Sequence, residues 1–323
     1  METILVVGGA GYIGSHMVKL LLDEGYAVVV LDDLSTGHRR LVTGGVFVQG
    51  NLGDAELLDC VFSTHKIFAV MHFAAFSLVG ESMQVPLKYY RNNVSETVAL
   101  LEAMQRHGVE RFIFSSTAAV YGEPEHVPIT EAHPCRPTNP YGNTKLSIER
   151  MLADCGRANG LRAICLRYFN AAGADPSGSI GEAHDPESHL IPLVLKAALA
   201  GASVKIFGTD YATPDGTCLR DYVHVCDLAR AHLLALEALG DGCGSDVFNL
   251  GNSVGHSVRQ VIETACRVTG RDIVAVACDR RPGDPAALVA DSDKIRATLG
   301  WKPKYESLDA MIDSAWRWHA RQG

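Results

Sequence analysis

The sequence predicts a doubly wound α/β fold, in which helices cover both faces of a parallel sheet. Short apolar runs rich in valine and isoleucine alternate with helical patterns through the first half of the chain. Continuous apolar strands are typical of a sheet buried on both faces, and strands separated by helices pair in parallel. A glycine-rich segment follows the first run at once, which indicates a tight connection from strand to helix. Strands are predicted at residues 4–7, 27–31, 46–48, 68–72, 111–115 and 163–166.

Helices are predicted between these strands, at residues 13–23, 55–62, 87–107 and 141–159. The last two begin after Pro86 and Pro140, and proline is favoured in the first turn of a helix. After about residue 170 the sequence changes to loops rich in glycine, proline and aspartate, with shorter elements between them. We therefore expect a main domain over residues 1–170 and a smaller mixed α/β lobe over residues 171–323. A helix and a strand within about 225–250 are expected to return to the main sheet.

The composition disfavours several classes of protein. The 323-residue chain has 47% hydrophobic and 20% charged residues, as an ordinary globular protein with a large core does. Its formal net charge of −8 disfavours binding to nucleic acid or to an anionic membrane. No basic leader precedes the first strand, and no apolar stretch reaches the ~18 residues of a membrane span. The nine cysteines are scattered and never spaced C-x-x-C, which fits a reducing compartment, so a cytoplasmic protein is expected.

No metal site is predicted. The thirteen histidines include no H-E-x-x-H or H-x-H spacing. His184 and His189 lie close together in a predicted loop, where solvated polar residues are typical.

The glycine-rich segment predicts a dinucleotide site of the Rossmann type. Gly8, Gly11 and Gly14 stand between the first strand and an amphipathic helix. Backbone without Cβ atoms can approach a pyrophosphate there, and the helix N-terminus supplies amide groups. Asp32 ends the second strand, where its carboxylate would accept hydrogen bonds from an adenosine ribose and repel a 2′-phosphate, which favours NAD over NADP. Two alternatives stay open: a tight turn uses the same glycines, and residues 38–40 could offer charge to a 2′-phosphate.

One tyrosine has the spacing of a proton-transfer residue. Of the ten tyrosines, only Tyr141 is followed by a lysine four positions later, Lys145, and such residues share a helix face. The lysine cation and an oxidised nicotinamide would both favour the phenolate, so we predict a lowered pKa for Tyr141 and a role as base. A hydroxyl within residues 115–117 would lie at the carboxyl end of the sheet, where ligands of such folds bind. From the residues alone, an exposed helix pair and a strand-end cap remain alternatives.

Short motifs extend over nearly the whole chain, at residues 8–15, 72–75, 79–82, 89–94, 114–122, 141–145, 167–170, 206–208, 220–224 and 281–284. On these motifs the chain resembles the extended short-chain dehydrogenase/reductase family, and within it the nucleotide-sugar 4-epimerases. The resemblance implies NAD that stays bound, and a UDP-sugar held mostly by the second lobe. It implies interconversion of UDP-galactose and UDP-glucose by inversion at sugar C4, through a transient 4-keto sugar.

The resemblance also implies roles for individual residues. Tyr141 would be the base and acid, Lys145 would bind the nicotinamide ribose and lower the tyrosine pKa, and Thr117 would hydrogen-bond the sugar hydroxyl. The residues implied to bind the cofactor are Gly8, Gly11, Tyr12, Ile13, Gly14, Asp32, Asn51, Leu52, Phe73, Ala74, Ala75, Ser77, Asn92, Ser115, Tyr141, Lys145 and Tyr168. The residues implied to bind the substrate are Thr117, Tyr141, Asn170, His189, Leu190, Lys205, Phe207, Arg220, Arg281, Asp284 and Leu288.

Four of these positions depart from the better-known bacterial pattern. Asn51 replaces an aspartate near the adenine, Ser77 a lysine near the cofactor phosphates, and His189 an asparagine near the substrate diphosphate. Leu288 replaces a tyrosine near the sugar C2 substituent. Because leucine is smaller, some tolerance for N-acetylated hexoses is expected.

Other functions remain in view. Epimerases of other UDP-sugars, such as UDP-N-acetylhexosamines or UDP-pentoses, are alternatives, and so is a non-catalytic NAD-binding protein. A 4,6-dehydratase is disfavoured because Ala118 and Ala119 stand where that family has an Asp-Glu pair. The resemblance further implies a homodimer that pairs through helices matching residues 87–107 and 141–159.

Overall fold

A seven-stranded parallel sheet forms the centre of the protein in a computed structural model that describes residues 2–281 and 283–322. The strands of the described chain are β1 (Thr3–Val7), β2 (Ala27–Asp32), β3 (Val46–Gln49), β4 (Ile67–His72), β5 (Arg111–Thr117), β6 (Arg162–Tyr168), β7 (Asn170–Ala172), β8 (Ser203–Phe207), β9 (Leu219–His224), β10 (Asp246–Leu250), β11 (Gly255–Ser257), β12 (Val274–Cys278) and β13 (Ala287–Leu288). The order in the large sheet is β10-β6-β5-β4-β1-β2-β3, and all its neighbours pair in parallel. The predicted parallel sheet is confirmed, and β10 forms one of its edges.

The helices occupy most of the segments between strands. They are α1 (Tyr12–Asp23), α2 (Ala55–Thr64), α3 (Val79–Gln84), α4 (Pro86–Tyr89), α5 (Glu96–Arg106), α6 (Pro140–Asn159), α7 (Leu190–Ala200), α8 (Val225–Gly240), α9 (Val258–Thr269), α10 (Asp293–Leu299) and α11 (Leu308–His319). Local sequence explains the start of α6, since the Asn139 side chain accepts a hydrogen bond from the Gly142 amide at 2.8 Å and Pro140 occupies the first turn. No described helix combines the length and the apolar character of a membrane span.

Both faces of the large sheet are buried, as its apolar strands predict. In β1, Ile4 and Val6 join one core cluster, to which α1 and α8 contribute. Leu5 and Val7 point the other way into a second cluster, which α2, α5 and α6 share. Because side chains alternate along a strand, an unbroken apolar run supplies both layers of this three-layer fold.

The predicted helix over residues 87–107 was wrong as a continuous α-helix. A π-helical turn, Tyr90–Ser95, lies between α4 and α5. Its buried residue Asn93 bonds outside the helix: Oδ1 accepts from the Phe76 amide at 2.9 Å, and Nδ2 donates to Thr144 Oγ1 at 3.1 Å. A side chain anchored to two other segments widens the helical turn here, and π turns occur often at functional sites.

Residues beyond the main sheet build a smaller mixed lobe. Strand β9 pairs with β7, β11 and β13, and β8 pairs with β12. Helices α7, α9 and α11 pack together around a separate core cluster. Because β9 pairs in parallel with β7, which follows the large-sheet strand β6 by one residue, the two parts are in direct contact near the carboxyl ends of the large sheet. The division at residue 170 remains a prediction.

Candidate active site

The turn after β1 has the close backbone packing that its glycines predict. Gly8 has a φ of +79°, and a Cβ there would lie 2.5 Å from the backbone nitrogen of Ala74. A Cβ on Gly14 would lie 2.2 Å from the carbonyl oxygen of Gly8. The turn is therefore open only to glycine at both positions, and it ends at the N-terminus of α1, where amides point outwards. The residues present fit a dinucleotide pyrophosphate.

Asp32 lies at the end of β2 next to this turn, as predicted. Its carboxylate accepts hydrogen bonds from the amides of Ala10 and Leu34, each at 2.9 Å. Burial raises its pKa, while both backbone hydrogen bonds lower it. Each carboxylate oxygen has two lone pairs, so a ribose hydroxyl can still donate to it.

A cleft of about 520 Å³ continues from Asp32 towards the π turn. Two of the residues that line this cleft, Asn51 and Asn92, were predicted from the sequence. Six others were not predicted, and they are Asp33, Phe76, Leu87, Lys88, Arg91 and Glu96. Asn51 Oδ1, which we expected to face the adenine, accepts from the Gly53 amide at 2.7 Å and retains one free lone pair. Ser77 is exposed in the loop after β4, and Leu52 is buried in the core.

Lys145 is almost completely buried on α6. Its Nζ donates to the carbonyl oxygen of Ser115 at 2.8 Å and lies 4.8 Å from the centre of the Phe114 ring. Burial lowers the pKa of Lys145 to about 7, although the Glu149 carboxylate raises it. The lysine therefore faces the carboxyl end of β5.

Tyr141 differs from prediction in its pKa. Burial raises the pKa of Tyr141 to about 12, and only the hydrogen bond with Thr117 opposes this. The expected fall relied on a lysine cation and a nicotinamide cation near the phenol. In the protein alone the desolvation of the phenolate is the larger effect.

Thr117 and Tyr168 complete the group around Tyr141. The hydroxyl of Thr117 bonds to the phenol of Tyr141, and it also accepts from the Ala119 amide at 3.2 Å. It is thus the strand-end cap that the sequence left as an alternative, and its contact with the sugar hydroxyl remains a prediction. The hydroxyl of Tyr168 bonds to Ser115 Oγ, and Thr117 pairs with Tyr168 in the sheet register.

A second cleft, of about 320 Å³, lies in the smaller lobe. Arg281, Asp284, Tyr211, Arg280 and Glu123 are among its lining residues. Arg281 lies over the ring of Phe207, 3.9 Å from its centre. Arg220 Nη2 donates to Asp284 Oδ1 at 2.7 Å, which places a fixed cation and its partner at this cleft. Pro282, within the 281–284 motif, lies outside the described residues.

The remaining predicted substrate residues lie outside the linings of the two clefts. Leu288 pairs with Arg220 in the register of β13 and β9, and it packs against a cluster that includes Ala118 and Phe169. Asn170 lies at the start of β7, Leu190 lies at the start of α7, and Lys205 lies on β8.

His189 belongs to a compact ionic group. Its Nδ1 and that of His184 both bond to Glu182 Oε1, and Glu187 Oε2 lies 3.5 Å from Lys196 Nζ. Burial lowers the pKa of both histidines, but the neighbouring carboxylates have the larger effect. Glu182 raises the pKa of His189, and Glu182 and Glu187 together raise the pKa of His184 to about 9. Four ligand atoms of this group lie within 4.8 Å of one another. Hydrogen bonds from the two imidazoles to Glu182, and the lysine beside Glu187, account for the arrangement of this group.

A sequence profile of the NAD dependent epimerase/dehydratase family matches residues 4–251. The chain belongs to this family. Membership confirms the predicted NAD cofactor and agrees with the Rossmann-type arrangement of β1, the glycine turn and Asp32.

Known members of the epimerase/dehydratase family match the chain over nearly its full length. UDP-glucose 4-epimerase of Halalkalibacterium halodurans is 56% identical over 317 residues, which are 98% of this chain and 95% of that protein. The crystal structure of UDP-glucose 4-epimerase from Brucella ovis in complex with NAD has a TM-score of 0.96 and 49% identity, and covers 98% of both chains. The enzyme of Bifidobacterium longum in complex with NAD+ and UDP has a TM-score of 0.94 and 40% identity, and covers 99% of this chain and 98% of that one.

Proposed function

We propose that this epimerase/dehydratase family member interconverts UDP-galactose and UDP-glucose by inverting sugar C4, with NAD as its bound cofactor. The observation that carries the proposal is the group formed by Tyr141, Lys145 and Thr117 at the carboxyl ends of the sheet, beside a dinucleotide turn. Relatives between 49% and 56% identical are UDP-glucose 4-epimerases, and this chain covers almost all of each.

The proposed chemistry needs one group that moves a proton at the sugar C4 oxygen. Tyr141 takes this proton and later returns it, while Thr117 bonds to the same phenol and orients the reacting hydroxyl. Lys145 stabilises the phenolate with its positive charge. NAD, when bound, accepts a hydride from C4 and gives it back to the other face of the 4-keto sugar. The net redox change is zero, so neither step consumes the cofactor.

The second cleft supports a nucleotide-diphosphate substrate. Phe207 offers an aromatic face for a base, although Arg281 lies over that ring in this structure. Arg220 and Arg281 supply guanidinium groups suited to bidentate contacts with phosphate. His189, whose Nδ1 bonds to Glu182, offers its second ring nitrogen for a further polar contact. Holding the UDP part firmly leaves the hexose free to turn over between hydride transfers.

The structure offers little support for a dehydratase. Elimination of water needs an acid and a base beside the sugar. Residues 118–120 instead form a 3₁₀ turn of two alanines and a valine, and Ala118 and Val120 are buried in the core. The segment directly after Thr117 therefore brings no carboxylate to the site.

Leu288 bears on the choice of sugar. Because it packs beside Ala118 and pairs with Arg220, it lies between the catalytic group and the second cleft. Its side chain is smaller than the tyrosine of the better-known bacterial pattern. We propose UDP-glucose and UDP-galactose as the main substrates, with slower conversion of N-acetylated forms.

The deciding experiment mixes the purified protein with UDP-galactose, without and then with added NAD, and follows UDP-glucose by chromatography. We expect UDP-glucose to form, Tyr141→Phe to lower the rate by a factor of about 1000, and UDP-N-acetylglucosamine to react more slowly. No UDP-glucose after NAD is supplied would exclude the epimerase and favour a binding protein. No turnover of millimolar UDP-N-acetylglucosamine would remove the tolerance for N-acetylated sugars.

Two wider features belong to the proposal. A homodimer through α5 and α6 is supported by large apolar side chains exposed nearby, which are Val79, Met83, Val85, Leu87, Tyr90 and Val98. A cytoplasmic site of action is supported by the nine cysteines, all of which are unpaired thiols.

A further inference from the structure

A buried ionic cluster lies directly behind the catalytic group and takes no part in the mechanism above. Arg167 on β6 forms two parallel contacts with Glu149 on α6: Nε lies 2.9 Å from Oε1, and Nη2 lies 2.5 Å from Oε2. The side chains are only 8% and 6% exposed. Ser116 on β5 donates to the same Glu149 Oε1 at 2.5 Å. One carboxylate thus ties a helix to two neighbouring strands.

The remaining terminal nitrogen of Arg167, Nη1, also has a hydrogen-bond partner. Its Nη1 donates to the hydroxyl of Tyr121 at 3.0 Å, and that hydroxyl donates to Asn249 Oδ1 on β10 at 2.7 Å. A buried ion pair adds little stability by itself, because desolvation cancels most of the attraction. When every polar group has a partner, however, such a network fixes one arrangement of its elements.

Two members of the network are next to a site residue in the chain. Ser116 lies between Ser115 and Thr117 on β5, and Arg167 directly precedes Tyr168 on β6. In the sheet register Ser116 pairs with Arg167, so both reach α6 from the same face. Any shift of this face displaces the atoms that hold the reacting groups.

Glu149 follows Lys145 by one helical turn, and therefore lies on the same side of α6. Other ionisable groups around the lysine are Tyr141 on its own helix and His72 on β4, which burial and the lysine charge keep neutral by lowering the pKa of the imidazole to about 3. Arg167 lies beyond Glu149. Of the charged groups named here, only Glu149 favours the ammonium, and it raises the pKa of Lys145 against the effect of burial.

We propose that Glu149 is a positioning residue for hydride transfer: its carboxylate clamps α6 onto β5 and β6, and supplies a negative charge that favours the ammonium form of the buried Lys145 on the Tyr141 side of α6. The inference rests on the proposed function for the role of Tyr141. It adds an acidic residue that never touches substrate or cofactor to the determinants of the reaction.

The test is Glu149→Gln in the NAD-bound protein, which removes the charge and keeps the size of the side chain. Ionisation of Tyr141 is followed by ultraviolet difference absorbance, with Tyr141→Phe as the baseline. Without the carboxylate the lysine loses its proton at lower pH, so the phenolate is less stabilised and should form about one pH unit higher. We expect kcat for UDP-galactose at pH 7 to fall about tenfold, because one pH unit is tenfold in the phenolate fraction.

Two further variants separate charge from packing. Glu149→Asp keeps the charge, so its phenolate titration should stay near that of the wild type even if the protein is less stable. Asp154→Asn makes the same acid-to-amide change on an exposed part of α6, and should leave both titration and kcat unchanged.

A Glu149→Gln protein whose phenolate titrates as in the wild type overturns the inference, whatever its activity. If that variant does not fold, Ser116→Ala removes one hydrogen bond to Glu149 and should lower kcat about threefold with KM unchanged. An unaltered kcat in Ser116→Ala would then count against the clamp. The titration needs no substrate, so it tests Glu149 even if UDP-galactose is not converted.

Discussion

At the scale of single residues, burial sets the chemistry of the site. It raises the pKa of Tyr141 to about 12 and lowers that of Lys145 to about 7, so in the protein alone Tyr141 is neutral at pH 7 and Lys145 is only partly charged. The phenolate therefore needs further positive charge close by, and an oxidised nicotinamide carries one. The coupling of the base to the cofactor is in this way a consequence of a dry site.

Removing the lysine tests this coupling. We expect Lys145→Met to lower kcat for UDP-galactose by a factor of about 100 to 1000 at pH 7, because the phenolate loses the positive charge one helical turn away on α6. Its remaining activity should rise with pH beyond the point where that of the wild type levels off, since only hydroxide then produces the phenolate. The measurement is kcat from pH 6 to about 10.

Lys66→Met is the matched control, since Lys66 is exposed and far from α6 in the chain. It should retain the pH profile of the wild type. A Lys145→Met enzyme with the same profile as its control would show that the lysine does not govern Tyr141.

At the scale of elements, the π turn between α4 and α5 joins the cofactor cleft to α6. Asn93 in this turn binds the amide and carbonyl groups of Phe76 at 2.9 and 3.1 Å, and also Thr144 on α6. Thr97 Oγ1 donates to the Asn93 carbonyl at 2.6 Å, which satisfies an acceptor in the irregular turn. The cleft wall and the catalytic helix thus share one buried amide.

Replacing the Asn93 side chain should affect both the stability of the protein and the cofactor cleft. We expect Asn93→Ala to reduce the free energy of unfolding by about 1–3 kcal/mol, because the Phe76 backbone and Thr144 are left without partners. NAD should also dissociate faster, since Phe76 lines the cofactor cleft. Urea denaturation and release of bound NAD measure the two effects.

The control is Asn159→Ala, the same change at the exposed end of α6. It should change the free energy of unfolding by no more than about 0.5 kcal/mol, and bound NAD should be released at the wild-type rate. If Asn93→Ala unfolds at the urea concentration of the wild type, the π turn is not held by this side chain.

At the scale of the whole molecule, the segment from α3 to α5 carries several exposed large apolar side chains. Leu87 is 80% exposed and Met83 is 61% exposed, on consecutive short helices before the π turn. Val98 on α5 is a further exposed apolar side chain of this segment. Patches of this kind usually mark an interface, which agrees with the proposed homodimer.

A charged side chain in the segment from α3 to α5 should separate the subunits of the proposed homodimer. We expect Val98→Glu to be a monomer at micromolar concentration, because the interface would have to bury an unpaired carboxylate. Sedimentation velocity measures the mass. Val254→Glu, at an exposed valine of the smaller lobe, should remain a dimer. A wild-type protein that sediments as a monomer would exclude the homodimer itself.

The sequence predicted the features that depend on local order along the chain. Unbroken apolar strands specified the parallel sheet, because only a sheet covered on both faces buries four consecutive side chains, residues 4–7 of β1. The glycine turn and Asp32 were likewise readable, since strand, turn and helix are consecutive. A helix spacing of four placed Tyr141 and Lys145 on one face. The resemblance to the family rests partly on these patterns, and it predicted both the NAD cofactor and the inversion at sugar C4.

Other features were decided only by tertiary structure, because they join residues that are distant in the chain. The π turn follows from bonds between Asn93, Phe76 and Thr144, which no periodic pattern shows. The pKa of Tyr141 follows from burial, which depends on the elements packed around it. Glu149 reads in the sequence as one more polar residue of a helix. Only the packing of α6 on the sheet brings Arg167 and Ser116 to its carboxylate and makes that charge part of the site.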